Sequence, residues 1–419
     1  MKKILIIVLF LFSASAWAKS VTLVQAIDIA LQRDPANKMY QHQRLALIAQ
    51  GKNSATLSDP MIKLGIANLD TESLSLDNDP MSQLTLGISQ QFSRGDSLQI
   101  RKKSFNLESE SALFSAQERR LQVKKTVRSL WFKILFIEKS TLMVEQQKTY
   151  FASLYRDLQS QFSLGLLDNE DVIESEIELS KSDEKLAVLR QSLLNYRTLL
   201  SEWIGAQAFV PFDKSLPIWS ETKDYIKRTQ RLKSTHYALL AKHPQAKILS
   251  QQITLARNDI SLAQQSYKPS FKVELGYGHR LSLMDDGQRR SDLLSASLVF
   301  DMPIFSTQKQ DQQVISAQQM QGKKQEEYFL LLRQLNISLS NAISGYQQLL
   351  DRQLHYKSTL LKQSQRRIEI LEKSYQSKTR PFKDVIKAYI KDLDLSLEYQ
   401  KLYFDGLQSL INIRYFQAI

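Results

Sequence analysis

The chain has 419 residues, a formal net charge of +13, 12 glycines, 9 prolines and no cysteine. The lack of cysteine excludes disulfides, thiolate metal sites, cysteine nucleophiles and a lipid-modified N-terminal cysteine. So few turn formers, in a chain rich in Leu, Gln, Ser and Lys, favour long helices.

Residues 1–18 read as a secretory signal: Lys2 and Lys3, an apolar run Ile4–Phe12, and a small-x-small site at Ala16-Trp17-Ala18. Cleavage after Ala18 leaves Lys19 at the N-terminus and lowers the charge from +13 to +11, through loss of Lys2 and Lys3. No later segment reaches the 18 or more consecutive apolar residues of a membrane-spanning helix. In an exported protein the remaining positive charge suits anionic lipid headgroups, acidic partners or a solvated surface, and no nucleic acid is expected.

Thr22 can cap a helix that breaks at Asp34-Pro35, resumes to about Leu57 and stops at Asp59-Pro60. Two alternating stretches follow, at about 61–69 (Ile62, Leu64, Ile66) and 83–92 (Leu84, Leu86, Ile88), with small or polar residues between the apolar ones. Period two is a strand signal, and the lengths suit tilted transmembrane strands. A helix is expected over 96–162, with Val123, Leu130, Ile137, Val144, Phe151 and Leu158 recurring every seven residues and a second row at Val127, Ile134, Tyr155 and Phe162. At 1.5 Å per residue it is roughly 100 Å long. It ends at a tip around Gly165. Asp168, with Asp171 in capping-box position, opens a second helix carrying Val172, Leu179, Leu186, Leu193 and Leu200. The two make an antiparallel coiled-coil hairpin that closes at Trp203-Ile204-Gly205. Residues 206–229, with Pro211 and Pro217 and no clear period, read as a linker or equatorial segment.

The pattern then repeats. Pro35 and Pro244 are 209 residues apart, as are Pro60 and Pro269. Strands are expected at 270–279 and 293–301 and a long helix over 307–375, with Leu332, Leu335, Leu339, Ile343, Tyr346, Leu350 and Leu354 on one face. A second tip spans Tyr375 to Arg380, and Pro381 opens the last helix. Asp171-Val172-Ile173 and Asp384-Val385-Ile386 are 213 residues apart. The simplest account is a duplicated chain, 19–205 and 230–419. Four strands cannot close a transmembrane barrel, and open edges are not tolerated in lipid, so several copies must combine. Three copies give twelve strands around a polar lumen, continued by helices as a tunnel.

With these features the chain resembles the TolC family of outer-membrane efflux proteins over essentially its whole mature length. The duplicated helix–strand–strand–helix order, Trp203-Ile204-Gly205, and the tips Phe162-Ser163-Leu164-Gly165 and Tyr375-Gln376-Ser377-Lys378-Thr379-Arg380, each followed by Asp-Val-Ile, carry the likeness. Asp59-Pro60-Met61, Leu64-Gly65-Ile66-Ala67-Asn68-Leu69, Asp79-Pro80-Met81 and Gly87-Ile88-Ser89-Gln90-Gln91-Phe92 are similar to the heavy-metal branch, of CusC and CzcC type. The resemblance implies a homotrimer in the outer membrane of a Gram-negative bacterium, with a large periplasmic part. It implies a membrane β-barrel joined to a helical barrel, docking on a periplasmic adaptor protein and an inner-membrane pump.

It also implies that the periplasmic tip holds the gate. Asp384 matches a position whose acidic ring narrows the tube; a helix N-terminal acid favoured by the dipole is the other reading. Asp171 is its counterpart in the first copy. Arg380 is either a latch onto a neighbouring helix or a solvated cation. Gly165 and Thr379 complete the candidate tip positions with Lys378, which stands where the family usually has glycine. Lys387, one turn beyond Asp384, would blunt an acidic ring. The five histidines, His42, His236, His243, His279 and His355, are not paired at metal-ligand spacing. Met61, Met81 and Met284 read as interface packing. With no Gly-rich phosphate loop and no credible nucleophile–base set, no catalytic residue, cofactor or metal site is expected. The leading reading is a passive efflux duct for metal cations. Drug efflux, type I protein secretion and an exported, non-spanning coiled-coil scaffold are its alternatives.

Overall fold

A computed structural model describes residues 20–165, 168–232 and 236–419. The expected signal segment 1–18 lies outside the described residues, as do Leu166 and Leu167 beside the first tip. In chain order the elements are α1 (Leu23–Arg33), α2 (Ala36–Ser54), β1 (Met61–Ala67), β2 (Gln83–Phe92), α3 (Ser97–Ser163), α4 (Asn169–Ile204), α5 (Ser220–Leu232), α6 (Tyr237–Leu240) and α7 (Pro244–Gln264). Then come β3 (Phe271–His279), β4 (Leu293–Phe300), α8 (Gln310–His355), a π turn at Tyr356–Leu360, α9 (Leu361–Gln376) and α10 (Phe382–Phe416). The chain divides into two units, and α3 and α8 supply residues to both.

The first unit comprises the chain up to Pro35, Arg119–Tyr237 and Leu335–Ile419. Thr22 opens α1 with a reciprocal capping box: its hydroxyl accepts from the Gln25 amide at 3.2 Å while the Gln25 side chain accepts from the Thr22 amide at 3.0 Å. On α3 the whole seven-residue row from Val123 to Leu158 is buried, as are Val127 and Ile134. Val172, Leu186 and Leu200 of α4 are buried too. The hairpin closes at Gly205, whose φ is +66°. A Cβ there would also sit 2.7 Å from the Arg33 guanidinium, so glycine is required twice over.

Three sequence expectations change in this unit. Residues 206–229 are not a linker. Ala208, Phe212, Trp219 and Ile226 are buried, and Phe212 stacks on Trp131 with ring centroids 4.0 Å apart. The Val21 and Phe212 segments form a parallel bridge. Trp219 just before α5 and Thr222 and Ile226 within it are all buried, a stripe too short to show as a period. On α8, Leu350 and Leu354 do not continue the buried row; Leu354 is 67% exposed. Three steps of three or four residues from Tyr346 lead to Leu349, Gln353 and Tyr356, so the two leucines fall outside the stripe. Gln353 instead donates to the Leu402 carbonyl at 2.8 Å. Finally, Asp168 sits at the N-cap of α4 without a side-chain capping bond, so the capping box expected with Asp171 does not form.

The second unit comprises Ala36–Glu118 and Ala238–Gln334. Its sheet has the order β1-β2-β3-β4, antiparallel throughout. The ends of β2, β3 and β4 are tied together by an Arg94–Asp301 ion pair and by Arg94 donating to the Lys268 carbonyl at 2.9 Å. α7 is held to α3 by Asn258, whose amide donates to the Ile100 carbonyl and the Ser104 hydroxyl, both at 2.8 Å. Among the described residues no helix is long and apolar enough to cross a membrane.

Candidate functional site

The register sorts the sheet into two chemically different faces. Ile62 opposes Ile88, Leu64 opposes Leu86 and Ile66 opposes Leu84. Ile88 opposes Leu275 and Leu86 opposes Tyr277, while Phe271, Val273 and Tyr277 oppose Phe300, Leu298 and Leu294. Because neighbours in register share a face, these side chains form one apolar sheet surface. It is uncovered in the protomer: Ile62, Leu64 and Leu294 are 71%, 76% and 82% exposed. The alternate positions form the other face, with Lys63, Gly65, Thr85, Gly87, Ser89, Lys272, Glu274, Gly276, Ser295 and Ser297. There Lys272 pairs with Glu274, and Thr85 and Ser295 donate to the Gly65 and Gly276 carbonyls at 3.0 and 3.2 Å. β1 and β4 are the outer strands, each paired along one side only among the described residues. A large exposed apolar surface marks a contact with lipid or protein.

The other candidate site lies in the first unit, at the α3–α4 and α9–α10 tips. Gly165 has φ +72° and nothing near a Cβ position. At the second tip Lys378 has φ +57°, the left-handed conformation that glycine adopts without strain. Lys378 holds this conformation with a full side chain, at a cost that glycine does not carry. Thr379 fastens the turn, with its amide and its hydroxyl both donating to the Ser374 carbonyl at 2.9 Å. Arg380 and Asp384 come together at 3.6 Å, with side chains 64% and 29% exposed. Arg380, in the turn before Pro381, therefore reaches the first turn of the following helix, α10, where Asp384 also suits the helix dipole.

The two tips meet through charge. Lys383 lies 3.7 Å from Glu170. Burial, then neighbouring Glu170, raises the Asp171 carboxyl above its ordinary value, with Lys383 opposing. Lys387 is exposed. Beneath the tips, Phe151, Leu158, Val172, Phe382, Val385 and Ile386 form a small buried core. At its edge is a polar cluster that sequence reasoning missed. Tyr389 and Tyr150 both donate to one Glu372 carboxylate oxygen, at 2.5 and 3.3 Å, with their rings 4.2 Å apart. Burial, and then the Glu372 carboxylate, hold the Tyr389 hydroxyl protonated. The cluster joins α3, α9 and α10. No short-range motif announces it, since Tyr150 and Glu372 are 222 residues apart. Among the described residues no three His, Asp or Glu converge into a metal-holding group.

A four-stranded antiparallel sheet with one apolar and one polar face, in a chain that also forms long helical hairpins, is a fold found in solved outer-membrane channels. Similarity to solved structures shows the same fold along nearly the whole chain. The structure of CusC aligns with a TM-score of 0.76 and 13% identity, covering 94% of this chain and 91% of that one. The outer-membrane protein VceC of Vibrio cholerae gives 0.76 and 14%, covering 94% and 96%. The CmeC outer-membrane channel of Campylobacter jejuni gives 0.73 and 13%, covering 94% and 85%. No protein-family model matches the chain, and no curated protein matches it by sequence. At these identities the likeness is one of fold.

Proposed function

We propose that the protein is the outer-membrane exit channel of a tripartite efflux system, a homotrimer that acts as a passive conduit for metal cations. The observation that carries this reading is the two-faced sheet with an unpaired edge at β1 and at β4. Open edges and polar backbone are not tolerated in lipid. Edge pairing between three copies gives a closed barrel of twelve strands, with Ile62, Leu64, Leu86, Leu275 and Leu298 against lipid and Lys63, Thr85, Glu274 and Ser295 toward water. The helical hairpins lie in the periplasm, and their tips meet a periplasmic adaptor and an inner-membrane pump.

The metal substrate rests on the resemblance of Asp59-Pro60-Met61 and Gly87–Phe92 to the heavy-metal branch. A conduit gains little from a tight site, because a strongly held ion leaves slowly. Selection then belongs to the pump and adaptor.

Two experiments test the reading. Mass photometry of the detergent-purified protein should find three copies. Deleting the gene should sensitise cells to a soft or borderline metal and not to bile salts or dyes. Sensitivity to organic compounds alone would move the substrate to drugs while leaving the channel reading intact. A water-soluble monomer obtained without detergent would overturn the channel reading itself.

A further inference from the structure

Within the first unit, α3, the 213–217 segment and α10 border a cavity of about 280 Å³. Its walls are apolar and aromatic: Leu135 and Leu142 of α3, Leu216, and Tyr403 and Phe404 of α10. Ring packing holds the aromatic wall in place. Phe404 lies edge-on to Tyr403, with centroids 5.7 Å apart, and 5.6 Å from Phe136. Leu135 is buried, whereas Leu142 and Leu216 keep 45% and 40% of their surface open beside the cavity.

The polar lining is Glu138, Lys139, Lys214 and the Gln400 amide. Glu138 is already committed: its carboxylate accepts from the Arg197 guanidinium at 2.7 Å, with the two side chains only 19% and 15% exposed. Arg197 is fixed in turn by donating to the Ala208 carbonyl at 3.2 Å. Asp213, beside Lys214 in the chain, is engaged by Ser215, whose amide and hydroxyl donate to it at 3.0 and 2.6 Å. Lys139 and Lys214 are both exposed, and among the described residues neither ammonium has an ion-pair or hydrogen-bond partner. With Glu138 neutralised by Arg197, two cationic groups remain at the rim of an apolar cavity.

We propose that this cavity binds a small organic anion, a carboxylate carried on an aromatic or aliphatic body. The body covers the leucines and rings, and the carboxylate accepts charge-assisted hydrogen bonds from Lys139 and Lys214. A concave, mostly apolar site with a few convergent polar groups is the usual form of a small-molecule site. A cationic ligand would meet two ammoniums and no free carboxylate, and a bare inorganic anion would leave the apolar walls in water. The bound anion ties the 213–217 segment to α3 and α10. The lining comes from a single protomer, so the site does not depend on the channel reading.

The test uses the full-length protein in a non-ionic detergent and two probes of one shape, para-trifluoromethylbenzoate and the neutral para-trifluoromethylbenzamide. The protein should broaden the fluorine resonance of the benzoate saturably, beyond the effect of detergent micelles alone. It should bind the amide about fivefold more weakly, ~1 kcal/mol. Lys139→Gln and Lys214→Gln, both at exposed positions, should each weaken benzoate binding by about fivefold and leave amide binding unchanged. Leu216→Ala should weaken both probes. Lys227→Gln, at an exposed lysine outside the cavity lining, should change neither, which separates a local site from general charge. Equal binding of benzoate and amide, benzoate binding unchanged in either cavity lysine variant, or no broadening beyond that of micelles would overturn the site.

Discussion

Arg380 Nη1 lies 3.6 Å from Asp384 Oδ2, one helical turn further on. An exposed ion pair of this kind adds little to stability. Its effect is to fix where both charges stand at the tip. In three copies, six such charges would ring the periplasmic end. Arg380→Ala and Asp384→Ala are therefore both expected to raise single-channel conductance in planar bilayers. Asp384→Ala should also weaken cation preference and block by multivalent cations. Unchanged conductance and selectivity in both variants would place the constriction elsewhere.

The left-handed Lys378 makes a second prediction. A side chain in that conformation costs about 1–2 kcal/mol relative to glycine, partly offset by the greater freedom of glycine in the unfolded chain. Lys378→Gly should slow amide hydrogen exchange across Ser377–Arg380, by an amount corresponding to about 1 kcal/mol. Thr379→Val removes the hydroxyl bond to the Ser374 carbonyl and should speed exchange by a similar amount, about 1 kcal/mol.

The raised Asp171 carboxyl sets the pH response of the tips. Its folded form binds a proton more readily than its unfolded form. Stability is then lost as pH rises through the interval between the ordinary carboxylate pKa and the raised one, and regained on acidification. Asp171→Asn should increase exchange protection around the tips at neutral pH and flatten the gain seen in the parent on mild acidification. A parent whose tips loosen on mild acidification, with Asp171→Asn unchanged, would contradict this.

Phe212 stacks on Trp131 in a buried core. Trp131→Ala and Phe212→Ala should each destabilise the protein by about 3–5 kcal/mol in denaturant unfolding. The double variant should cost less than their sum, by about 0.5–1.5 kcal/mol, the coupling of a stacked pair. Additive losses would mean that residues 206–229 are held by other contacts.

What the sequence shows best is what repeats. The row Val123–Leu158 could be read because residues seven apart return to one face of a long helix, and all are buried. The strands could be read because alternation survives where one face must be apolar. Leu350 and Leu354 misled because a small angular drift along a long helix moves a residue out of the stripe, and a π turn at Tyr356–Leu360 follows. Residues 206–229 misled because their buried side chains sit on a short helix and irregular backbone, which have no long period. At the tips, the turn residues could be found from motif spacing. The Arg380–Asp384 contact, the positive φ of Lys378 and the Tyr150–Glu372–Tyr389 cluster depend on local geometry or on distant segments.

The most direct test of the channel reading is conductance. If the polar face of the sheet lines a closed lumen, as proposed, purified protein added to a planar lipid bilayer should produce discrete, ion-conducting steps of one principal size. Protein that inserts and leaves the bilayer silent, with the parent, Arg380→Ala and Asp384→Ala all failing to conduct, would contradict it.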